Sequence, residues 1–400
     1  MIEGSTSVLP RPRSTAAGMD LQFGAVLAVL LVTGWVANHF VALMPSISDR
    51  QHLSTATLDA IFGIYAVGLL PGLLIGGRAS DAFGRQAVAL TGSATAVIGT
   101  VAMLLSQQPD VLLAGRLIVG AGVGLAMTSG TAWASDLRGP AGAATAGAVL
   151  IAGFAIGPLA GGLIAGAGGP GVQLSFGLAA ILVVIAMVAA VIASRRTVAA
   201  RPASAVSKQP VASGFSSTRA LSWAIPLAPW VFASATLGFI TIPARVHTGL
   251  AAPAAAGMAA LIVNGSSGVI QVIARAGSWG PWAGTAGAAL ATLGYALIAV
   301  APPTMTLALA LPLLLILGCA SGLSLREGLI DLEAAAPQHV RGALTGIFYS
   351  VTYIGFGLPL VLTTVGFGGS QLILAAMAAL AASAAILRTI RLRRDSHRQS

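Results

Sequence analysis

The sequence predicts an all-α integral membrane protein with twelve transmembrane helices in two six-helix halves, and three observations lead to this prediction. Of 400 residues, 56% are hydrophobic and 8% are charged, whereas soluble globular domains carry about 25% charged residues. The mean hydropathy is +0.90. The apolar residues form continuous runs of roughly 20 residues, which is the length of a membrane-crossing helix. These runs lack the alternation of membrane β-strands and are about twice as long.

The apolar runs define twelve candidate spans. In the first half they cover residues 21–45, 55–77, 87–106, 111–133, 142–166 and 172–194. In the second half they cover residues 223–244, 255–274, 283–301, 305–327, 342–364 and 371–388. The first run is longer than the roughly 7–15 apolar residues of a signal peptide, so we expect it to be retained as the first helix.

The basic residues predict the orientation of these spans. Seventeen Lys and Arg residues lie in the tails and loops on the side of the two termini, whereas only Arg50 and Arg245 lie in the loops on the other side. Because cytoplasmic loops are enriched in Lys and Arg, we expect both termini in the cytoplasm and the protein in the cytoplasmic membrane. The net charge of +10 is scattered between apolar runs, which argues against a nucleic-acid partner.

Residues 195–222 are rich in Pro, Ser and basic residues and are predicted to form a cytoplasmic linker. The linker divides the chain into an N-terminal bundle, residues 1–194 with a cytoplasmic tail, and a C-terminal bundle, residues 223–400 with a basic tail. Two six-helix repeats around a midplane cavity are typical of secondary transporters. The single cysteine, Cys319, excludes a cysteine-based metal site, and no metal is expected.

The most specific motif lies in the turn between the second and third spans, where the sequence reads Gly77-Arg78-Ala79-Ser80-Asp81-Ala82-Phe83-Gly84-Arg85-Gln86. Gly77 permits close helix approach and Gly84 permits a tight turn. Asp81 can accept hydrogen bonds from the N-terminus of a neighbouring helix, and Arg85 supplies a countercharge. The motif predicts a conformational latch between the bundles. The alternative is an ordinary basic turn.

This stretch resembles the loop 2–3 signature of the major facilitator superfamily, G-x-x-x-D-x-x-G-R-[RK]. Gln86 stands where a second basic residue is common. The resemblance extends over the whole chain, because the twelve spans and the central linker also match. It implies the fold of that superfamily, with a substrate cavity lined mainly by helices 1, 4, 7 and 10 and partly by helices 2, 5, 8 and 11.

A second motif, Gly115-Arg116-Leu117-Ile118-Val119-Gly120-Ala121-Gly122, places an arginine inside the fourth span. An intramembrane arginine normally faces the interior of the bundle and has a partner there. The motif is similar to the helix 4 motif of the superfamily, in which the arginine is linked to proton transfer. The alternative is an arginine that extends to the outer surface.

A third motif lies in the fifth span and comprises Gly153, Gly157, Pro158, Gly161 and Gly162. Glycines four residues apart create a smooth face for another helix, and Pro158 is expected to bend the helix. The pattern resembles the antiporter motif of the exporter branches of the superfamily, with Ala144 in place of an earlier glycine. The alternative is plain packing of small residues.

A proton-coupled antiporter needs a titratable group inside the membrane, and the first span contains no acid. By residue counting at 1.5 Å per residue, His39, Asp59 and Arg116 lie within roughly 10 Å of one another in depth. We hypothesise that Asp59 or His39 takes the proton and that Arg116 adjusts its pKa. The alternative is that Asp59 merely caps the second helix and faces outer solvent.

Polar and aromatic residues near the middle of the cavity-lining spans are candidates for substrate contact: Trp35, Asn38, Tyr65, Trp230, Phe232, Asn264, Tyr349 and Tyr353. Aromatic walls with few charges suit a lipophilic compound, although each residue can instead serve packing or an interfacial aromatic belt. Arg326 and Glu327, at the end of the tenth span, are a candidate gate pair or an interfacial charge pair.

These observations together predict a secondary transporter of the drug:proton antiporter type, which exports small lipophilic compounds by alternating access. We expect a monomer that is not an enzyme and uses the proton gradient without a cofactor. No nucleotide-binding G-x-x-x-x-G-K-[ST] loop is present, which excludes ATP-driven transport by this chain alone. The alternative is a dedicated carrier for a sugar, an amino acid or another metabolite. A membrane-embedded enzyme or a receptor is less favoured, because only His39 and Asp59 approach a cluster of intramembrane titratable groups.

Overall fold

The computed structural model describes residues 13–198, 216–337 and 340–399. In these ranges the chain is helical apart from its turns and one isolated bridge between Val246 and Met305. Eleven helices of the described residues are long and apolar enough to cross a membrane. The predicted all-α membrane fold is therefore confirmed.

Six crossings form the first half. The first is built from two helices, Arg13–Asn38 and Phe40–Gln51, that meet at His39, and the crossing that we call α1 is the apolar part from Gly18 onward. The crossings α4 and α5 belong to one continuous stretch, Pro109–Gly166, which is broken by non-helical backbone at Arg138 and Gly139. The half is composed of α1 (Gly18–Gln51), α2 (Thr55–Phe83), α3 (Arg85–Leu105), α4 (Pro109–Gly139), α5 (Ala141–Gly166) and α6 (Gly171–Val198).

The second half begins with a segmented helix, α7. Its parts are Ser217–Ala224, Ile225–Leu227, Ala228–Thr236, Leu237–Thr241 and Pro243–Arg245. Three of these parts carry a proline in their first two positions, where the missing N–H of proline is tolerated but a continuing helix would lose a hydrogen bond. Three regular helices follow, namely α8 (Ala252–Ala276), α9 (Trp282–Val300) and α10 (Leu307–Ala335).

The last long apolar stretch, Leu344–Asp395, is 52 residues long. A single crossing needs roughly 20 residues, and Gly366 interrupts the stretch with φ 72° and ψ −178°. We therefore divide it into α11, which begins with Arg341–Ile354 and continues through Gly355–Gly357 to residue 365, and α12, residues 367–399. The described residues thus contain the twelve predicted crossings.

The helices on either side of the predicted linker extend into it. Helix α6 continues to Val198, and α7 begins at Ser217, where the hydroxyl of Ser216 accepts a hydrogen bond from the amide of Arg219. The rest of the linker, residues 199–215, and the N-terminal tail up to residue 12 lie outside the described residues.

Three pairs of helices make the main contacts between the halves. Because successive crossings alternate in direction, we call the face with both termini the terminal face and the other the opposite face. Helices α5 and α1 both pack on α8, and α2 packs on α11. Within the first half, α1 and α5 approach so closely that a Cβ added at Gly153 would lie 3.0 Å from the Cα of Gly34. Small residues at such crossings allow the backbones of membrane helices to meet.

Candidate functional site

The loop between α2 and α3 carries an ion network on the terminal face. Arg85 lies 2.5 Å from a carboxylate oxygen of Asp81 and 3.1 Å from one of Asp136, at the end of α4, and it also donates to the hydroxyl of Ser80. The Asp81 side chain is 65% exposed. The network ties α2 and α3 to α4 within the first half. Within the described residues, Asp81 forms no hydrogen bond or ion pair with the second half, as a latch would require.

The two glycines of this loop differ in their environments. Gly84 has φ 92° and ψ 142°, a backbone conformation that other residues rarely adopt, and it forms the turn as expected. The expectation of close helix approach at Gly77 is wrong, because a Cβ added there would meet no atom within 4 Å. The neighbouring Gly76 makes the close approach instead, against Leu125 and Thr128 of α4. Consecutive residues of a helix point to different sides, so Gly76 lies on the packed side of α2 and Gly77 on its open side.

The glycines of the α5 motif all lie against other helices. A Cβ added at Gly157 would lie 2.7 Å from the Cα of Trp35 in α1, and one at Gly161 would lie 3.0 Å from the hydroxyl of Ser175 in α6. Gly162 faces the carbonyl of Pro253 in α8. The motif therefore packs α5 against both its own half and the other half. The backbone at Pro158 keeps helical dihedral angles.

Arg116 is completely buried in an aromatic cage. Its guanidinium carbon lies 4.4 Å from the ring centre of Tyr65, 4.8 Å from that of Phe40 and 5.9 Å from that of Phe62. One guanidinium nitrogen donates to the carbonyl of Ala37 at 3.1 Å, while Nε and Nη2 have no hydrogen-bond partner among the described residues. The side chain does not extend to the surface. Cation–π attraction offsets part of the cost of burying its charge.

His39 and Asp59 are also buried, and neither forms an ion pair with Arg116 within the described residues. The imidazole Nδ1 of His39 contacts the carbonyls of Trp35 and Val36 at 3.2 and 3.1 Å, so this nitrogen acts as a donor, and Nε2 has no partner. Asp59 accepts a hydrogen bond of 2.6 Å from the hydroxyl of Thr363 in α11.

The alternative role of Asp59 as a helix cap is wrong. Ser54 caps α2 by accepting a hydrogen bond from the amide of Thr57, and the Asp59 side chain lies deeper. Asp59 lines a cavity of about 590 Å³ near the opposite face, between the ends of α1, α2, α7 and α8. Its second carboxylate oxygen is buried without a hydrogen-bond partner. Asp59 is therefore placed between this cavity and α11.

A second, small cavity of about 20 Å³ lies at the centre of the molecule. A cavity of this size has room for about one water molecule. Five of the eight candidate cavity residues line it: Asn38, Tyr65, Phe232, Asn264 and Tyr353. These residues belong to α1, α2, α7, α8 and α11, so the cavity lies between the two halves. The structure thus brings most of the predicted cavity residues together in a nearly closed arrangement.

The remaining three candidates do not line the small cavity. Trp35 packs on Gly157, and Trp230 packs inside the second half, where its ring lies 5.9 Å from that of Tyr295. The ring of Tyr349 lies 6.4 Å from that of Tyr353, one turn further toward the terminal face. Trp35 and Trp230 each have an indole nitrogen that is buried without a hydrogen-bond partner.

Sequence reasoning missed three aromatic residues of this cavity, Phe154, Phe239 and Phe356. Phe356 is the centre of the aromatic cluster, with its ring 4.9 Å from Phe62 and 5.1 Å from Phe232. It therefore joins α2 of the first half to α7 and α11 of the second. The spacing of Tyr349, Tyr353 and Phe356 at four and three residues places them on one helix face and could have indicated it.

Among the described residues that line the cavity, the polar side-chain groups are the tyrosine hydroxyls and two amides. Asn38 of α1 donates to the carbonyl oxygen of Phe154 at 3.0 Å, and Asn264 of α8 donates to the same oxygen at 3.3 Å. One backbone oxygen of α5 thus holds side chains from both halves.

The candidate gate pair, Arg326 and Glu327, belongs to a charged cluster inside the second half. The two side chains form an ion pair, and Glu327 is 2% exposed. Arg388 of α12 lies 3.9 Å from Glu327 and 2.7 Å from Asp331. Among the described residues, this cluster forms no hydrogen bond or ion pair with the first half. Its geometry therefore fits internal packing rather than a gate or an interfacial pair.

Known proteins resemble this chain in fold and, over a short stretch, in sequence. The crystal structure of the peptide transporter POT in complex with sulfate has a TM-score of 0.73 and 14% identity, and covers 94% of each chain. The in meso structure of the POT family transporter PepTSo has a TM-score of 0.71 and 13% identity, and covers 93% of this chain and 98% of that one. At such identities the likeness concerns the fold alone.

Two curated relatives are multidrug resistance proteins. MdtL of Shigella flexneri serotype 5b (strain 8401) is 34% identical over 96 residues. MdtL of Escherichia coli (strain SMS-3-5 / SECEC) is 33% identical over 96 residues. The chain matches about a quarter of the length of these relatives, 24% of each protein.

The family assignment rests on a longer match, together with the twelve crossings and the cavity between two halves. The model of the Major Facilitator Superfamily matches residues 25–360, which covers most of both halves. Family and fold identify a membrane transporter for a small-molecule substrate. The chain belongs to the Major Facilitator Superfamily.

Proposed function

We propose that this transporter exports small lipophilic compounds in exchange for protons, by alternating access. The observation that carries the proposal is the central cavity, which is lined by aromatic rings and two amides, with no charged side chain among its described lining residues. Such a lining suits an apolar, aromatic compound. The partial similarity to the MdtL multidrug resistance proteins agrees with this substrate class.

The coupling reaction is assigned to the buried polar residues near the opposite face. Asp59, which links α2 to α11 through Thr363, is the first candidate for the proton-binding group, and His39 is the second. Arg116 adjusts the proton affinity of this region by its charge. The proton gradient is the sole energy source, without a cofactor. The protein acts as a monomer in the cytoplasmic membrane with both termini in the cytoplasm.

A dedicated metabolite carrier is the alternative. The structural neighbours include peptide transporters, but peptides carry a charge at each end, and the described cavity lining offers no charged partner for either. A neutral metabolite remains compatible with the two amides. The experiment below separates a lipophilic substrate from such a metabolite.

The test measures uptake of a fluorescent lipophilic dye into inverted vesicles that contain the protein and carry a proton gradient. We expect uptake that collapses on addition of a protonophore and in the variant Asp81→Asn, which removes one carboxylate from the Arg85 network. Asp110→Asn, at an exposed position in the first turn of α4, is the matched control and should transport normally. An absence of dye movement with folded protein would contradict the proposal and favour the metabolite carrier.

A further inference from the structure

The central cavity contains a backbone oxygen that its own helix does not use. In an α-helix the carbonyl of residue 154 accepts a hydrogen bond from the N–H of residue 158. Residue 158 is proline and has no N–H, so the carbonyl of Phe154 lacks its helical donor. A buried carbonyl without a partner is costly, so another donor is required.

Two side chains satisfy this oxygen, and they come from different halves. Asn38 is 7% exposed, and among the described residues its amide donates to the Phe154 carbonyl alone. The amide of Asn264 reaches the same oxygen at 3.3 Å and also donates to the carbonyl of Ala260, in its own helix, at 3.0 Å. Asn264 can therefore release the Phe154 carbonyl and keep a hydrogen bond.

A cavity of about 20 Å³ cannot hold a drug-sized compound, so helices of the two halves must move apart to admit one. Asn264 of α8 and the Phe154 carbonyl of α5 belong to different halves, and an opening that separates α5 from α8 releases Asn264. Separation removes the second donor from the Phe154 oxygen, which then has one free lone pair inside an aromatic cavity. A substrate that carries an N–H or O–H group can replace the lost donor, whereas a substrate without one leaves this lone pair unpaired.

We infer that the Phe154 carbonyl, freed by Pro158 and shared by Asn38 and Asn264, is the acceptor subsite for a hydrogen-bond donor on an aromatic substrate. This inference rests on the proposed function, because it adds a selectivity to the same cavity. The preferred substrates are then aromatic amines and amides that carry at least one N–H. Fully alkylated analogues of the same size and charge bind more weakly.

The test uses two probes that differ only in this donor. Imipramine carries an N–H when its tertiary amine is protonated, and N-methylimipramine, its quaternary salt, has the same rings and charge without a donor. We measure the binding of both to the purified full chain in nanodiscs by calorimetry. A charge-assisted hydrogen bond predicts a preference of about tenfold or more for imipramine.

Pro158→Ala restores an N–H that takes the Phe154 carbonyl into the helix, so the preference should fall close to one. Pro71→Ala is the matched control. It restores an N–H inside α2 to the carbonyl of Val67, whose side chain is 58% exposed at the surface of the bundle, and it should keep the preference. Asn264→Leu removes the competing donor and should raise the preference, which a purely structural role of Asn264 does not predict.

The outcomes separate this inference from the proposed function. Equal affinity of the two probes for the wild-type protein, or an unchanged preference in folded Pro158→Ala, overturns the subsite while the lipophilic cavity stands. If Pro158→Ala does not fold, the wild-type preference and its change in Asn264→Leu decide the question. Failure of both probes to bind the folded wild-type protein overturns the subsite together with the proposed substrate class.

Discussion

The carboxylate of Asp59 in α2 accepts a hydrogen bond of 2.6 Å from the hydroxyl of Thr363 in α11. The two residues belong to different halves, and both lie near the opposite face. The second oxygen of Asp59 is buried without a partner. Protonation of Asp59 would weaken this hydrogen bond, because an ionised acceptor binds a donor more strongly than a neutral one. Protonation of Asp59 would thus favour separation of the two halves, because it weakens a hydrogen bond between them.

We predict that Asp59→Asn and Thr363→Val have different effects. Asn can still accept from Thr363 but cannot titrate, so Asp59→Asn should abolish the pH dependence of transport. Thr363→Val removes the hydrogen bond and keeps the acid. It should raise the labelling rate of a cysteine introduced at Met44, in the cavity near the opposite face, by about tenfold. The labelling is measured in a Cys319→Ser background, so that only the introduced cysteine reacts. Transport by Asp59→Asn with the pH dependence of the wild-type protein would contradict the assignment of the proton to Asp59.

The aromatic cage of Arg116 leads to a prediction that separates stability from function. Replacement of a buried charge by an apolar side chain of similar size is often neutral or stabilising. Arg116→Met should therefore keep the wild-type melting temperature or raise it, and it should lose proton-driven transport. Arg116→Lys keeps the charge but loses the planar contacts with Tyr65 and Phe40, so it should melt at a lower temperature than Arg116→Met. Normal transport by Arg116→Met would remove Arg116 from the coupling reaction.

The two glycines of the α2–α3 loop should respond differently to alanine. Gly84→Ala forces a residue with a Cβ into φ 92°, which costs about 1–3 kcal/mol. Gly77→Ala adds a methyl group in open space within a helix, which stabilises the helix by about 0.5–1 kcal/mol. The melting temperatures of the two purified variants test this difference. A larger loss of stability in Gly77→Ala would show that the latch approaches another helix at this residue after all.

The charged cluster of the second half should contribute more to stability than the exposed ion pair between Arg138 and Asp20 in the first half. Arg388→Ala leaves Asp331, whose side chain is 14% exposed, without its partner at 2.7 Å, and the expected loss is about 3–5 kcal/mol. Arg138→Ala breaks a pair with Asp20 whose side chains are 47% and 69% exposed, and its expected loss is about 0–1 kcal/mol. Denaturant unfolding of both variants measures these losses, and equal losses would contradict the burial argument.

Much of the fold could be predicted from the sequence, because the length of an apolar run depends on the thickness of the bilayer. The predicted spans agree with the helices to within a few residues at most of their ends. The largest difference is at α12, which continues to residue 399 rather than ending near residue 388. Helix α10 also continues, to Ala335 rather than ending near residue 327. Glu327 and Asp331 remain inside this helix because Arg388, 57 residues further along the chain from Asp331, supplies their countercharge. A pairing at this sequence distance cannot be read from hydropathy.

The candidate site could be predicted only in part. Residue type identified Asn38, Tyr65 and Asn264, because amides and tyrosines are uncommon in apolar spans. It did not identify Phe154, whose backbone oxygen rather than its ring makes the polar contacts. The proline that frees this oxygen was visible in the sequence, but the two amides that reach it come from α1 and α8, and their meeting depends on tertiary packing.

The cage of Arg116 has a consequence for biosynthesis. A membrane protein enters the bilayer from its N-terminus onward, and an arginine in the middle of a span is costly in lipid. Among the described residues, the hydrogen-bond acceptor and the three aromatic rings of the cage, namely Ala37, Phe40, Phe62 and Tyr65, all precede Arg116 in the chain. The docking surface for α4 is therefore already synthesised when this helix emerges, and α4 can pass from the insertion machinery directly onto α1 and α2 without exposing its charge to lipid.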